Sequence, residues 1–222
     1  MLHFEKHEAT TINMNKKTTI LKAFFLCVLM LGSVFAFSQE MSFDPKTKDE
    51  IFSYEKINDG VLTDSIGKFG ILKNPQFDIY TLVQTKVWIF KRLEDDFNPQ
   101  LHVWYYFDKN TNELKAITYN WGLFNPSFNP REGKEELIEL TTREKEFKKK
   151  YNGLKKELKG KLGKPSKSET IANNANSFVE NVFWEDNEKI TELSIRFDRK
   201  LQEIPGAGIT SDFHISTMVT FK

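Results

Sequence analysis

Residues 101–121 read LHVWYYFDKNTNELKAITYNW, and the reading of this stretch decides the fold. Two runs of aromatic and β-branched residues, LHVWYYF (101–107) and ELKAITYNW (113–121), flank a short polar tip. Such runs favour a pleated backbone, and a tip of Asp and Asn closes by bonding its own main chain. The stretch therefore predicts a hairpin, and with it an antiparallel sheet. The tip has a rival reading as a calcium loop, because Asp108, Asn110 and Asn112 offer oxygens at every second position. An EF-hand loop also needs Gly at its sixth position and Glu at its twelfth. Here those places hold Glu113 and Tyr119, and strand formers stand where helices should, so no metal is assigned. The first run is apolar on both faces, which implies cover on both sides or a binding surface on one.

Outward from the hairpin the same grammar continues. YYFDKNTNELKAIT (105–118) resembles one unit of the YD-repeat family of secreted β-rich proteins, in which a Tyr-x-Tyr-Asp strand turns through Gly or Asn into Leu-x-x-Ile-Thr. That family works as many tandem copies and this chain has one, so the resemblance implies a hairpin and no activity. FDIYTLVQTKVWIFKRL (77–93) predicts a long strand with a bend at Gln84–Lys86. SFVENVFW (177–184), KITELSIRF (189–197) and DFHISTMVTF (212–221) predict three more, the last alternating with period two. WEDNEKI (184–190) repeats the polar-tip device.

Helices are fewer. FDPKTKDEIFSYEKI (43–57) predicts a short one with Pro45 in its first turn. The glycine-broken segment 58–75 reads as loop. From 142 to 162, Phe147, Tyr151, Leu154, Leu158 and Leu162 fall on one helical stripe. Thr141 and Glu144 have capping-box spacing, and Gly163 and Pro165 stop the run. The expected fold class is α+β: antiparallel sheet or sheets with this long amphipathic helix packed on them. An echo between GKFGILKNP and GKLGKP suggests two tandem similar α+β halves. They are 39–121 and 134–222, joined by a linker over 122–133 and packed as one unit.

The N-terminus predicts export. Lys16, Lys17 and Lys22 precede an apolar run from Ala23 to Leu31, and Ala36-Phe37-Ser38 suits cleavage before Gln39. The uncharged run is shorter than the ~20 residues a spanning helix needs, so no membrane span is expected after cleavage. Glu5 and Glu8 ahead of the basic cluster place the expected start at Met14. Cys27, the single cysteine, leaves with the leader, which removes disulfides, thiol catalysis and cysteine zinc sites. The remaining 28 basic and 29 acidic residues give no charge footprint for nucleic acid.

Candidate chemistry is sparse. His102 and His214 are the histidines left after cleavage, and no metalloprotease, nucleophile-elbow or phosphate-loop motif occurs. No cofactor is expected. Asp95 and Asp96 are adjacent but sit in a turn context. His102 alternates with Trp104 and Tyr106, and with Trp121 they form the candidate ligand face, since exposed aromatics stack on sugars or partners. The 142–162 helix carries nine basic residues against three acidic ones. Lys148, Lys149, Lys150 and Lys155 are thus polyanion candidates. The leading expectation is an exported, non-enzymatic binding or envelope-associated module, with a protein or glycan partner in the periplasm or outside the cell. The alternatives are a secreted hydrolase with dispersed carboxylates, and a polyanion or membrane-surface binder using the basic helix.

Overall fold

A computed structural model of the chain describes residues 40–69, 72–73, 80–81, 85–94, 97–122, 134–200, 202–204, 208–210 and 212–222. The expected leader (1–38), Asp95, Asp96 and all of the expected linker beyond Gly122 lie outside them. In chain order the elements are α1 (Lys48–Ile57), β1 (Val61–Phe69), β2 (Leu72–Lys73), β3 (Tyr80–Thr81), β4 (Thr85–Arg92), β5 (Leu101–Asp108) and β6 (Leu114–Gly122). There follow α2 (Lys134–Thr141), α3 (Glu144–Leu162), β7 (Lys167–Asn173), β8 (Ser177–Glu185), β9 (Lys189–Asp198), β10 (Gln202–Ile204), β11 (Gly208–Thr210) and β12 (Phe213–Phe221).

The hairpin forms as its sequence dictates. Asp108 Oδ1 accepts from the amides of Asn110 (2.8 Å) and Thr111 (2.9 Å), and Asn112 takes the left-handed conformation at φ 58°. That carboxylate is spent on its own turn, and the two amides hold its pKa below the ordinary value. Asp186 Oδ1 does the same for Glu188 and Lys189 at 2.8 and 2.9 Å.

The expected fold class is corrected. The core of the chain is a single eight-stranded antiparallel sheet, ordered β1-β4-β5-β6-β12-β9-β8-β7. Among the described residues strands hold about twice as many positions as helices. Among the described residues the two expected halves share this sheet, because β12 pairs with both β6 and β9 and makes it continuous; β2-β3 and β10-β11 form only small two-stranded ribbons beside it. Nor does a long helix from 142 organise the fold. Helix is broken at Thr142–Arg143, and α3 starts at Glu144 behind Arg143, which makes no side-chain cap. Thr141 closes α2 by donating to the Ile138 carbonyl, so the expected capping box is not formed. A capping box does form at Thr47 and Glu50, and α1 therefore begins three residues past Pro45. Segment 61–69, expected as loop, is the edge strand β1, with register breaks at Leu62/Asp64 and Ile66/Phe69 that absorb its irregularity.

All three helices deliver side chains to one face of the sheet. Ile51, Leu140, Phe147, Tyr151, Leu154 and Leu158 join sheet residues such as Val103, Tyr105, Tyr119, Leu193 and Ile215 in the main core. Each such burial is worth roughly 1.5–3 kcal/mol. Edge-to-face rings run through this layer, with Phe147 at 5.2 Å from Phe97 and 5.3 Å from Phe197.

One charge pair lies inside that core. Arg92 on β4 donates Nε to Glu55 Oε2 (2.8 Å) and Nη2 to Oε1 (2.6 Å), with both side chains essentially inaccessible. The Tyr105 hydroxyl donates to the same carboxylate. Arg92 also lies over the Tyr54 and Tyr119 rings at 5.2 and 5.6 Å. Burial works to lower the Arg92 pKa, but the bonds and charge of Glu55 outweigh it and hold it above the ordinary value.

Candidate functional site

Alternation along β5 sends Leu101, Val103, Tyr105 and Phe107 into the helix-side core and His102, Trp104 and Tyr106 to the opposite face. The sequence-chosen ligand face is therefore split. Trp121 pairs in register with Leu101 and lies on the helix side, buried, its Nε1 donating to Glu94 at 2.8 Å. Trp104 is also buried, in a small second cluster with Val87 and Ile89. Tyr106 is half-buried and stacks on it at 6.2 Å and 23°. Burial pushes the Tyr106 hydroxyl up to about 12, against the pull of Thr118. These aromatics are packed more than displayed.

The basic helix is similarly committed. Lys148 pairs with Glu144 (2.8 Å), Lys150 with Glu94 (2.6 Å) and Lys155 with Glu180 (2.6 Å). Lys150 also lies over the Trp121 ring at 5.1 Å, so it ties α3 to the sheet. Lys149 is exposed, and among the described residues no ion pair engages it. Beside it, Lys145, Lys148, Thr141 and Thr142 line an open depression of about 680 Å³.

Register brings together residues far apart in sequence on the face that no described helix packs against. Lys91, His102, Asn120, Ser216, Ser194, Asn181 and Glu169 are successive partners across β4, β5, β6, β12, β9, β8 and β7. They form one polar row perpendicular to the strands, with charges only at its ends. Ser194 Oγ and Ser216 Oγ share a hydrogen bond of 2.8 Å. His102 Nδ1 and Asn120 Oδ1 are buried, and neither atom has a hydrogen-bond partner among the described residues. Burial, then Lys91, push the His102 pKa down and favour the neutral ring, against a backbone interaction at Gln100 that favours the charged one.

One step along the strands lies a charged group. His214 Nδ1 meets Asp212 Oδ1 at 2.5 Å, and Arg196 Nη1 meets Asp212 Oδ2 at 3.3 Å. Asp198 Oδ2 accepts from the Asp212 amide at 2.8 Å. Burial raises Asp198, against the hydrogen bond from the Asp212 amide and the charges of Arg196 and His214, although the Asp212 charge adds to the rise. Burial would raise Asp212 too, but His214 and Arg196 outweigh it and hold that carboxyl low. Burial and Glu169 push Glu192 up. Gly122 sits between this group and the row: a Cβ there would stand 2.7 Å from His214 Cβ and 3.0 Å from Asn120 Oδ1. Among the described residues no group of three or more His, Cys, Asp and Glu side chains is arranged to hold a metal.

Sequence reasoning singled out His102 and missed Asn120, Ser194, Ser216, Asp198 and Asp212. Period-two alternation marked the outward positions of the C-terminal strands but carried no cross-strand register. No family model, curated protein or solved structure matches this chain.

Proposed function

We propose that the chain is an exported, non-enzymatic binding module of the cell envelope, periplasmic or extracellular, and that the polar row on the face no described helix packs against meets its partner. One observation carries the reading: His102 Nδ1 and Asn120 Oδ1, adjacent in that row, are buried without a hydrogen-bond partner among the described residues. Buried polar atoms are nearly always paired, so two adjacent unpaired ones give the row a reason to rearrange: rotation of either side chain toward the surface would offer its hydrogen bond to a partner. The neutral amides and hydroxyls that continue the row suit a polar, uncharged surface, a glycan or a protein main chain. The leader-like N-terminus supports the envelope as the place.

The test is retention of residues 41–222, which form a compact unit of their own, on the cell-envelope fraction of the source organism. Ser216→Arg, which puts a long charged side chain into the row, is expected to reduce retention about tenfold or more, as for loss of a central contact. Equal retention of a variant with native circular dichroism, or no retention of the wild type, would refute the reading.

The hydrolase alternative draws on the Asp212–His214 contact and on the opposite displacement of Asp198 and Asp212, a pattern seen where one carboxyl holds a proton and another does not. The polyanion alternative draws least, because three of its four lysines are already in ion pairs.

A further inference from the structure

Phe147, Tyr151, Leu154 and Leu158 bury one side of α3 and leave the opposite side to solvent. With about 100° between successive residues, Lys145, Lys149, Lys156 and Lys159 fall within about 80° of arc on that solvent side. All four are exposed. Asn152 lies among them, Gly153 and Gly160 lie beside them, and no acidic residue enters the arc. The other lysines of α3 sit off this line and are paired: Lys148 with Glu144, Lys150 with Glu94, Lys155 with Glu180 and Lys161 with Glu157. Among the described residues no ion pair engages the four on the stripe. Like charges three or four positions apart destabilise a helix, and the stripe sets Lys145 against Lys149 and Lys156 against Lys159. The helix thus concentrates unneutralised charge on one line while it pairs the charges on either side.

We propose that this stripe docks a flexible linear polyanion, a chain of repeated phosphate groups laid along the axis of α3. It lies on the other side of the sheet from the polar row and does not depend on the function proposed above. Of the four lysines singled out in the sequence, only Lys149 belongs to it. Charge complementarity identifies the partner. Lys145 to Lys159 span about 21 Å of helix axis, so four free cations form a line that a chain of anions can follow. Lysine is a compact point charge without the planar fork of arginine, so it suits successive oxyanions better than one oriented carboxylate. Shape favours a chain over a flat anionic bilayer. The stripe begins in the open depression of about 680 Å³, which Lys145, Lys149 and Asn152 help to line. Farther along, a Cβ at Gly153 or Gly160 would meet nothing within 4 Å, so the backbone there is open to close approach. A chain can enter both places and a plane cannot. A helix that lies in a bilayer also buries an apolar side in it, and the apolar side of α3 is spent on the core.

The test is a fluorescence-anisotropy titration of labelled inorganic polyphosphate with residues 41–222, between about 50 and 200 mM salt. The logarithm of the affinity is expected to fall linearly with that of the salt concentration, with a slope of about −3 for four contacts to a single chain. Lys149→Gln and Lys156→Gln together should bring the slope to about −1.5 and weaken binding about tenfold at the lower salt. Gln is chosen because it matches lysine in helix propensity, and far-UV circular dichroism of the variant should match the wild type. Lys56→Gln with Lys86→Gln removes the same charge from exposed positions on α1 and β4 and should change neither affinity nor slope. The proposal is overturned by a wild type that does not bind polyphosphate at the lower salt, or by binding that the α3 pair leaves unchanged. It is overturned equally if both pairs weaken binding alike, since net charge alone would then be the cause. A protein that ignores polyphosphate but co-sediments with phosphatidylglycerol vesicles through the same two lysines would replace the chain by a membrane surface.

Discussion

Replacing Arg92 by Met should cost far more than an ordinary core substitution. Met fills similar volume but supplies no donor. Glu55 would keep only the Tyr105 hydroxyl of the three bonds that now reach its two oxygens. Breaking a buried ion pair from one side costs about 3–5 kcal/mol, because the remaining charge stays out of water without compensation. A domain is stable by only about 5–15 kcal/mol, so a large part of the total is at stake. At roughly 2–4 °C per kcal/mol for a domain of this size, the melting temperature should fall by about 6–20 °C.

The opposite outcome is expected when the whole group is made apolar. Glu55→Leu, Arg92→Met and Tyr105→Phe together remove both charges and the hydroxyl, and such replacements are often neutral or stabilising. The triple variant should therefore lie within about 1–2 kcal/mol of the wild type, on the same reasoning. Urea unfolding followed by tryptophan fluorescence and far-UV circular dichroism measures both. The argument is refuted if Arg92→Met costs less than about 1 kcal/mol, the ordinary value for a point mutation. It is refuted equally if the triple variant loses as much as the single one, since desolvation of an orphaned charge would then not be the cause.

Glu144 ties the first turn of α3 to Arg199, at 2.7 Å, and to Lys148. The Arg199 hydrogen bonds, then Lys148, hold its pKa at about 2, against a smaller penalty from burial. A depressed carboxyl contributes stability that is fully present above its unfolded value and is lost as pH falls through the folded one. The acid limb of the stability curve between the ordinary carboxylate range and pH 2 should therefore flatten in Glu144→Gln. An unchanged limb would show that the tie is not felt. Glycines offer a contrast of sign. Nothing lies within 4 Å of a Cβ at Gly153 or Gly160 in α3, so Ala at either should stabilise by about 0.5–1 kcal/mol. Gly122→Ala would press on His214 and Asn120 and should destabilise by about 1–3 kcal/mol. Urea midpoints that move in the same direction for all three would disprove the close approach at Gly122.

Local chemistry was legible wherever a residue acts on its own neighbourhood. The Asp108 turn, the strands beside it and the α3 stripe each follow from spacing within a few residues. The errors fall where a local signal had two outlets. Thr141 and Glu144 have the spacing of a capping box, but the Thr141 hydroxyl bonds back to Ile138 and ends the preceding helix instead. Thr47 and Glu50 carry the same pattern and form the box, although Pro45 was the stronger sequence signal. The glycines around β1 read as loop because glycine weakens strands, yet pairing with β4 holds the segment extended and its two register breaks take up the misfit.

The candidate site was nearly invisible for a different reason. A sheet multiplies period-two alternation by register, and register is set by pairings between segments far apart in the chain, as β6 and β12 are, with Ala116 opposite Thr220. Ser194, Ser216 and Asn120 are unremarked outward positions within their own strands, and only the order β6-β12-β9 makes them adjacent. A one-residue slip of β12 would send Ser216 into the core and bring Ile215 or Thr217, depending on its direction, to the row. The main core forbids that slip, because Phe213, Ile215 and Val219 are buried against the helix side. The packing of one face thus fixes the chemistry of the other. That explains why polar residues with no partner in sequence reach their positions, and why His102, singled out for the aromatics beside it, gains its interest from Asn120 on the next strand.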